Sequence, residues 1–324
     1  MKFSLSVSLN KVLLGACAAT LVAAAPVAHA ANYLNIATGG TSGVYYPMGV
    51  ALSQVYSKAM PDVKVSVQST KASVENLNLL QAGRAELAFT LADSLSDAWK
   101  GNAEVGFTKK LDNLRAIAGI YSNYIQIVAR ADSGIKTLAD LKGKRISVGA
   151  AKSGTELNAR TILGAAGLTY KDFRQVQYLP FGESVELMKN HQLDVTLQSA
   201  GLGVSSIRDL ANSNAIVIVP IPVDIVKKIN DPAYQAAKIP ANTYDGQTQD
   251  TPTVAVQNFL VTRKAVSDDE AYAMTKQLFT HLNELVAAHN AATGITLDHA
   301  IVSLPVPLHP GAARYYKEVG LLKQ

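Results

Sequence analysis

Two runs of small residues, 110 positions apart, do most to limit what this chain can fold into. Thr38-Gly39-Gly40-Thr41-Ser42-Gly43-Val44-Tyr45-Tyr46-Pro47 follows the alternating apolar residues Leu34 and Ile36, and Gly149-Ala150-Ala151-Lys152-Ser153-Gly154-Thr155 follows the segment Arg145 to Val148. In each case a strand runs into a loop without bulky side chains, and that loop opens a helix. Ser73-Val74-Glu75 comes 34 residues after Gly39, and Ser184-Val185-Glu186 comes 35 residues after Gly149. That spacing fits one strand-helix-strand circuit in each half. The chain reads as two similar lobes facing each other.

Local signals extend this reading. Val44 to Lys58 carries apolar residues at helical spacing, with Pro47 tolerable in the first turn. Lys64 to Gln68 and Leu87 to Leu91 read as strands. Between the two strands Ser73 caps a helix through Leu80, which Gly83 ends. Leu114 to Ala118 and Ile125 to Arg130 read as two further strands separated by the polar turn Tyr121-Ser122-Asn123. The second lobe repeats the order: a short capped helix at Thr137 to Gly143, a strand from Arg145 to Val148, a helix from Glu156 to Ala166, a strand from Gln175 to Leu179, a helix capped by Ser184 through Asn190, and a strand from Val195 to Leu197. Pro220 to Pro252 is expected to be irregular, Thr253 to Val261 a strand returning to the first lobe, and Asp268 to Asn290 and Pro310 to Val319 helices. Alternating strands and helices predict an α/β fold with mostly parallel sheets flanked by helices, and ligands in such sheets sit beyond the carboxyl ends of the strands.

Met1 to Ala30 has Lys2 and Lys11 ahead of the apolar run Val12 to Ala25, then the small-x-small site Ala28-His29-Ala30. It is expected to be a secretory signal peptide cleaved after Ala30. Leu14-Gly15-Ala16-Cys17 offers a lipobox as the other reading. In either case the one cysteine of the chain falls in or beside the leader, so core burial rather than disulfides must stabilise the exported protein. The net charge of +5 is spread among acids rather than clustered, which argues against nucleic acid as a partner. The predicted organisation is 1–30 signal peptide, 31–130 first part of lobe I, 131–254 lobe II and 255–324 the return to lobe I. The hinge crossings are expected at Arg130-Ala131-Asp132 and Thr253-Val254-Ala255.

Catalytic signatures are missing. The histidines beyond the leader, at 191, 281, 289, 299 and 309, show no metal-ligand spacing, and Ser42, Ser153 and Ser199 lack the flanking glycines of a nucleophile elbow. No phosphate loop or complete dinucleotide fingerprint occurs, so no cofactor is expected. What the two loops do offer is a pair of helix N-termini rich in hydroxyls and free N–H groups, which suits a small anionic solute.

Ala37-Thr38-Gly39-Gly40-Thr41 with Tyr45-Tyr46-Pro47, Gln68-Ser69-Thr70 with Ser73-Val74-Glu75-Asn76-Leu77, Ser153-Gly154-Thr155, and Pro305-x-Pro307-Leu308-His309-Pro310-Gly311-Ala312-Ala313-Arg314-Tyr315-Tyr316 resemble the TAXI-type solute receptors of TRAP transporters. The resemblance covers essentially the whole chain after the leader. It implies a periplasmic, two-lobed, type II binding-protein fold that closes on a carboxylate such as glutamate, glutamine or 2-oxoglutarate. It also implies delivery of that solute to an ion-gradient-driven membrane permease, by a monomer without catalytic activity. A receptor that docks a sensor kinase, or an exported hydrolase using Ser42 or Ser153, are the competing readings.

The candidate ligand-binding residues are Thr41, Ser42, Gly43 and Tyr45 from the first loop, and Ser153, Gly154 and Thr155 from the second. Ser69, Thr70, Thr90, Gln198 and Ser199 lie at strand ends, and Tyr244 in the irregular segment. Asp93 either binds an ammonium group or caps the helix running to Lys100. Arg130 either clamps a carboxylate or pairs with Asp132 or Asp140. Lys71 and Lys152 either meet a second carboxylate of the ligand or point to solvent.

Overall fold

The computed structural model describes residues 1–2 and 32–323. The expected signal peptide beyond Lys2, its expected cleavage site and Cys17 lie outside the described residues. Beyond them the chain forms strands β1 (Asn32–Ala37), β2 (Val63–Gln68), β3 (Leu87–Leu91), β4 (Leu114–Arg130), β5 (Arg145–Ser147), β6 (Gln175–Gln177), β7 (Val195–Ala200), β8 (Ile216–Val219), β9 (Tyr234–Ile239) and β10 (Thr251–Arg263). The α-helices are α1 (Tyr45–Ala59), α2 (Ser73–Gln81), α3 (Ala92–Lys100), α4 (Gly154–Ala165), α5 (Phe181–Lys189), α6 (Ser205–Ser213), α7 (Val223–Ile229), α8 (Asp268–Thr280), α9 (Leu282–Ala288) and α10 (Pro310–Glu318). No described helix is long and apolar enough to cross a membrane.

All the strands join one sheet in the order β2-β1-β3-β10-β4-β7-β5-β6, with β8 paired to β4 and β9 to β10. The outer triplets β2-β1-β3 and β7-β5-β6 are parallel. Every antiparallel pairing involves β4 or β10. Helix-connected strands are thus parallel, as the alternation of strand and helix requires. Helices cover both faces: Leu87 and Phe89 of β3 point into one apolar cluster, while Ala88 between them belongs to the other.

β4 and β10 pair with each other and link the two triplets, β10 bordering β3 and β4 bordering β7. Residues 114–119 of β4 pair with the second half of β10, which pairs in turn with β3. Residues 124–130 of β4 pair instead with β7 and β8, and residues 251–256 of β10 with β9.

The expected break at Tyr121-Ser122-Asn123 is absent, and β4 runs unbroken for 17 residues. Those polar residues read as a turn, but each has a partner within the sheet. Ser122 Oγ donates to Gln257 Oε1, Asn123 Nδ2 donates to the Ser199 carbonyl, and the Tyr121 carbonyl accepts from Asn258 Nδ2 at 2.9 Å. The segment expected to be irregular contains α7 and β9, whose run Tyr-Gln-Ala-Ala-Lys-Ile has too little β-branching to announce a strand and is held by pairing with β10. Helix 268–290 is two helices. Thr280 Oγ1 takes the Lys276 carbonyl and His281 Nδ1 lies 3.2 Å from that of Gln277, so side chains compete with the ladder where α8 stops. α5 starts at Phe181, three residues before the expected cap, and Ser184 is buried inside it with its Oγ 2.7 Å from Ser147 Oγ.

The C-terminal motif is scaffolding. His309 caps α10 by accepting from the Gly311 N–H, and its other ring nitrogen lies 3.1 Å from the Val266 carbonyl. The neutral tautomer with a proton on Nε2 satisfies both contacts, and burial lowers the pKa of this ring. A Cβ on Gly311 would come within 2.1 Å of the Asp268 carbonyl oxygen, so glycine lets α10 lie against α8.

Candidate functional site

The carboxyl ends of β1, β2 and β3 lead into α1, α2 and α3, and those of β5 and β6 into α4 and α5. The N-termini of α1, α2, α4 and α5 border a single cavity of about 90 Å³, at Gly43-Val44-Tyr45, Ala72-Ser73, Ser153-Gly154-Thr155 and Pro180-Phe181 respectively. α1, α2 and α5 have no side-chain cap, so their first N–H groups remain available. α4 is capped by its own Ser153 Oγ, which accepts from the Glu156 N–H at 3.1 Å. Four helix dipoles therefore present their positive ends to one volume.

The two sides approach closely at Gly154. A Cβ there would lie 2.6 Å from Ser73 Oγ and 2.7 Å from Leu91 Cδ1, so only glycine lets the start of α4 sit against α2 and the end of β3. The floor is a hydrogen-bonded chain: Tyr45 Oη donates to Asn258 Oδ1, Asn258 Nδ2 donates to Asn123 Oδ1 at 2.8 Å, and Asn123 Nδ2 donates to the Ser199 carbonyl at 2.8 Å. Asn258 stands where the β4–β10 register shifts between Gln257 and Phe259, an irregularity that re-aims a side chain. The Tyr45 ring stacks on Phe89, and burial holds its hydroxyl neutral. Ser199 is 5% exposed, and its Oγ is buried without a hydrogen-bond partner.

Of the residues singled out in the sequence, Gly43, Tyr45, Thr70, Lys71, Ser153, Gly154, Thr155 and Ser199 line this cavity. The others do not. Thr41 is exposed, and Ser42 contributes its carbonyl to Ser205 Oγ at 3.0 Å. Ser69 Oγ donates to the Gly39 carbonyl at 3.0 Å, tying one loop to the next. Thr90 is buried in β3. Gln198 points away, to Ser206 Oγ at 2.7 Å, and the Tyr244 hydroxyl donates to Gln126 and accepts from Gly203 N–H. Arg130 pairs with Asp132 and donates to the Leu193 carbonyl, and Asp194 lies 3.8 Å away. Lys152 is exposed with φ +63°.

Asp93 neither faces the cavity nor merely caps α3. Its Oδ2 accepts from Asn158 Nδ2 and from the Tyr234 hydroxyl, both at 2.7 Å, and its Oδ1 accepts from the Ser94 N–H at 2.7 Å. This carboxylate thus joins α3 to α4 and β9. Burial pushes its pKa up to about 6, against the opposing effect of the Tyr234 and Ser94 hydrogen bonds.

Sequence reasoning missed Asn123, Phe181 and Ala150 as lining residues and assigned Ser73 a cap alone. Ser73 does begin α2, but its Oγ accepts from the Leu91 N–H at 3.2 Å and it lines the cavity. The signal for Asn123 lay in its partner: Asn258 is a polar residue inside an apolar strand more than a hundred positions away.

Solved structures share this architecture at low identity. MatC from Rhodopseudomonas palustris with bound malate is 10% identical, with 91% of this chain and 98% of that chain covered at a TM-score of 0.59. A protein from Bordetella bronchiseptica RB50 is 16% identical, with 89% and 98% covered at 0.59. PhnD1 from Prochlorococcus marinus in complex with methylphosphonate is 12% identical, with 90% and 99% covered at 0.56. They establish a mixed α/β fold of the periplasmic-binding-protein-like kind. The family model described as NMT1-like matches residues 36–320, and the chain belongs to the NMT1-like family.

Proposed function

We propose that this chain is a periplasmic solute receptor of the TAXI type, a monomer that captures a small carboxylate and hands it to a TRAP permease. The observation that carries this reading is the convergence of four helix N-termini on one cavity whose lining contains no aspartate or glutamate. Free N–H groups and aligned dipoles hold a carboxylate through charge-assisted hydrogen bonds, and a micromolar complex needs about −8 kcal/mol. The binding residues in this reading are Gly43, Tyr45, Thr70, Ser153, Gly154, Thr155 and Ser199, with Lys71 as the one charged side chain at the rim.

Two lobes close around the solute. One is built on β2-β1-β3 and the other on β7-β5-β6. The hinges lie where β4 changes partner from β10 to β7, at 120–124, and where β10 changes partner from β9 to β3, at 256–258, inside the expected crossing on β4 and just beyond it on β10. The Gly154–Ser73 approach is the contact made on closure. Malate in MatC and methylphosphonate in PhnD1 are small anions held by proteins of this fold, which supports an anionic solute here. No histidine lines the cavity, so Ser153 and Ser199 have no imidazole base beside them for hydrolysis.

Isothermal titration with small mono- and dicarboxylates, combined with small-angle scattering, tests this reading. Micromolar binding accompanied by a smaller radius of gyration is expected, and absence of binding by every carboxylate would overturn it.

A further inference from the structure

The hydrogen-bonding groups around the cavity are unequally committed. Several carbonyl oxygens along its lining already accept bonds: Gly39 from Ser69 Oγ, Gly40 from the Gly43 N–H, Ala150 from the Ser153 N–H, Ser199 from Asn123 Nδ2 and Ala200 from Gln126 Nε2. The Tyr45 hydroxyl is turned to Asn258. The nearby carboxylate, Asp93, is closed off by three donors. Donors at the uncapped starts of α1, α2 and α5 remain open, and so does the buried Ser199 Oγ.

On the reading that the cavity binds a carboxylate, we infer that it selects acids without an ammonium group and rejects the corresponding α-amino acids. A bound ammonium would bring three donors into a space with no counter-charge, where the Ser199 hydroxyl can accept at most one of them and Lys71 and four positive helix ends add repulsion. A buried charge left unpaired in this way is among the costliest arrangements a binding site can contain. A 2-hydroxy acid has the same shape, and its hydroxyl can either donate to or accept from Ser199 Oγ.

The test is calorimetric titration with isosteric pairs: lactate and alanine, malate and aspartate, 2-hydroxyglutarate and glutamate, 2-hydroxyisocaproate and leucine. In whichever pair binds, the hydroxy acid is expected to bind at least about 100-fold more tightly, matching the penalty for an unpaired buried charge. Equal or tighter binding of the amino acid would overturn the inference and leave the carboxylate receptor standing. Failure of all eight compounds and of the corresponding unsubstituted carboxylates would overturn both. Ser199→Asp, which supplies the missing counter-charge, is expected to narrow the ratio by about tenfold or more, while retention of the full ratio in a folded variant would remove Ser199 from the site.

Discussion

Replacing Asp93 by asparagine should flatten the pH dependence of stability in a calculable window. Asp93 joins α3 to α4 and β9 through Asn158 and Tyr234, and burial raises its pKa from an ordinary 3.8 to about 6, with Asp97 and Asp231 pushing the same way. Because the folded pKa lies above the unfolded one, the folded chain keeps this proton over a range where the unfolded chain has lost it. The stabilisation is complete below about pH 4 and declines as pH rises to about 6. At 1.36 kcal/mol per unit, a shift of about two units amounts to about 3 kcal/mol. Urea unfolding of both proteins from pH 4 to 7, followed by circular dichroism at constant ionic strength, isolates the effect as a difference between the two curves. The wild-type advantage over Asp93→Asn should shrink by about 3 kcal/mol across that interval. Tyr234→Phe deletes a hydrogen bond that lowers the pKa and should extend the decline to higher pH. Parallel curves for wild type and Asp93→Asn would show that this carboxylate is not desolvated, and the argument would fail.

Further outcomes follow from the same geometry. Gly154→Ala places a methyl group against Ser73 Oγ and Leu91 Cδ1, so titration should show affinity reduced about tenfold or more and scattering should show less compaction with ligand. Thr155→Val should weaken carboxylate binding by about tenfold through loss of a charge-assisted hydrogen bond, whereas Thr41→Val, at an exposed position, should leave titration curves unchanged. Gly311→Ala drives a Cβ into the Asp268 carbonyl and should lower the thermal midpoint by several degrees without changing the affinity of the folded protein.

The fold was more legible than the site. Strand β3 is legible to the residue because Leu87 to Leu91 is apolar except for Thr90 and lies between Glu86 and Asp93, the pattern of a strand buried on both faces. β4 was read as two strands because Ser122 and Asn123 look like turn residues until Gln257 and Asn258 come beside them, and that pairing spans about 135 positions. For the same reason hydroxyl-bearing residues were overcounted as ligand groups. Ser69, Thr90 and Gln198 lie near the right strand ends, but Thr90 and Gln198 are buried in the protein and the Ser69 hydroxyl is engaged by the Gly39 carbonyl. Conversely, the long C-terminal motif around His309 is one of the four that carry the family resemblance, yet it contributes nothing to the cavity, because motifs record packing constraints as well as contacts with a ligand.

The insertion of β10 between β3 and β4 sets the order in which the chain can become native. Phe259 of β10 lies opposite Thr90 on one side and Gly119 on the other, so the centre of the sheet is missing until a strand from the last quarter of the chain arrives. Before then β3 and β4 have open edges and their apolar residues have no neighbour, which exposes the nascent chain to aggregation and to slow, long-range closure. A chain cut before Thr251 would therefore not yield a smaller, working first half. Folding has to wait for nearly the whole polypeptide.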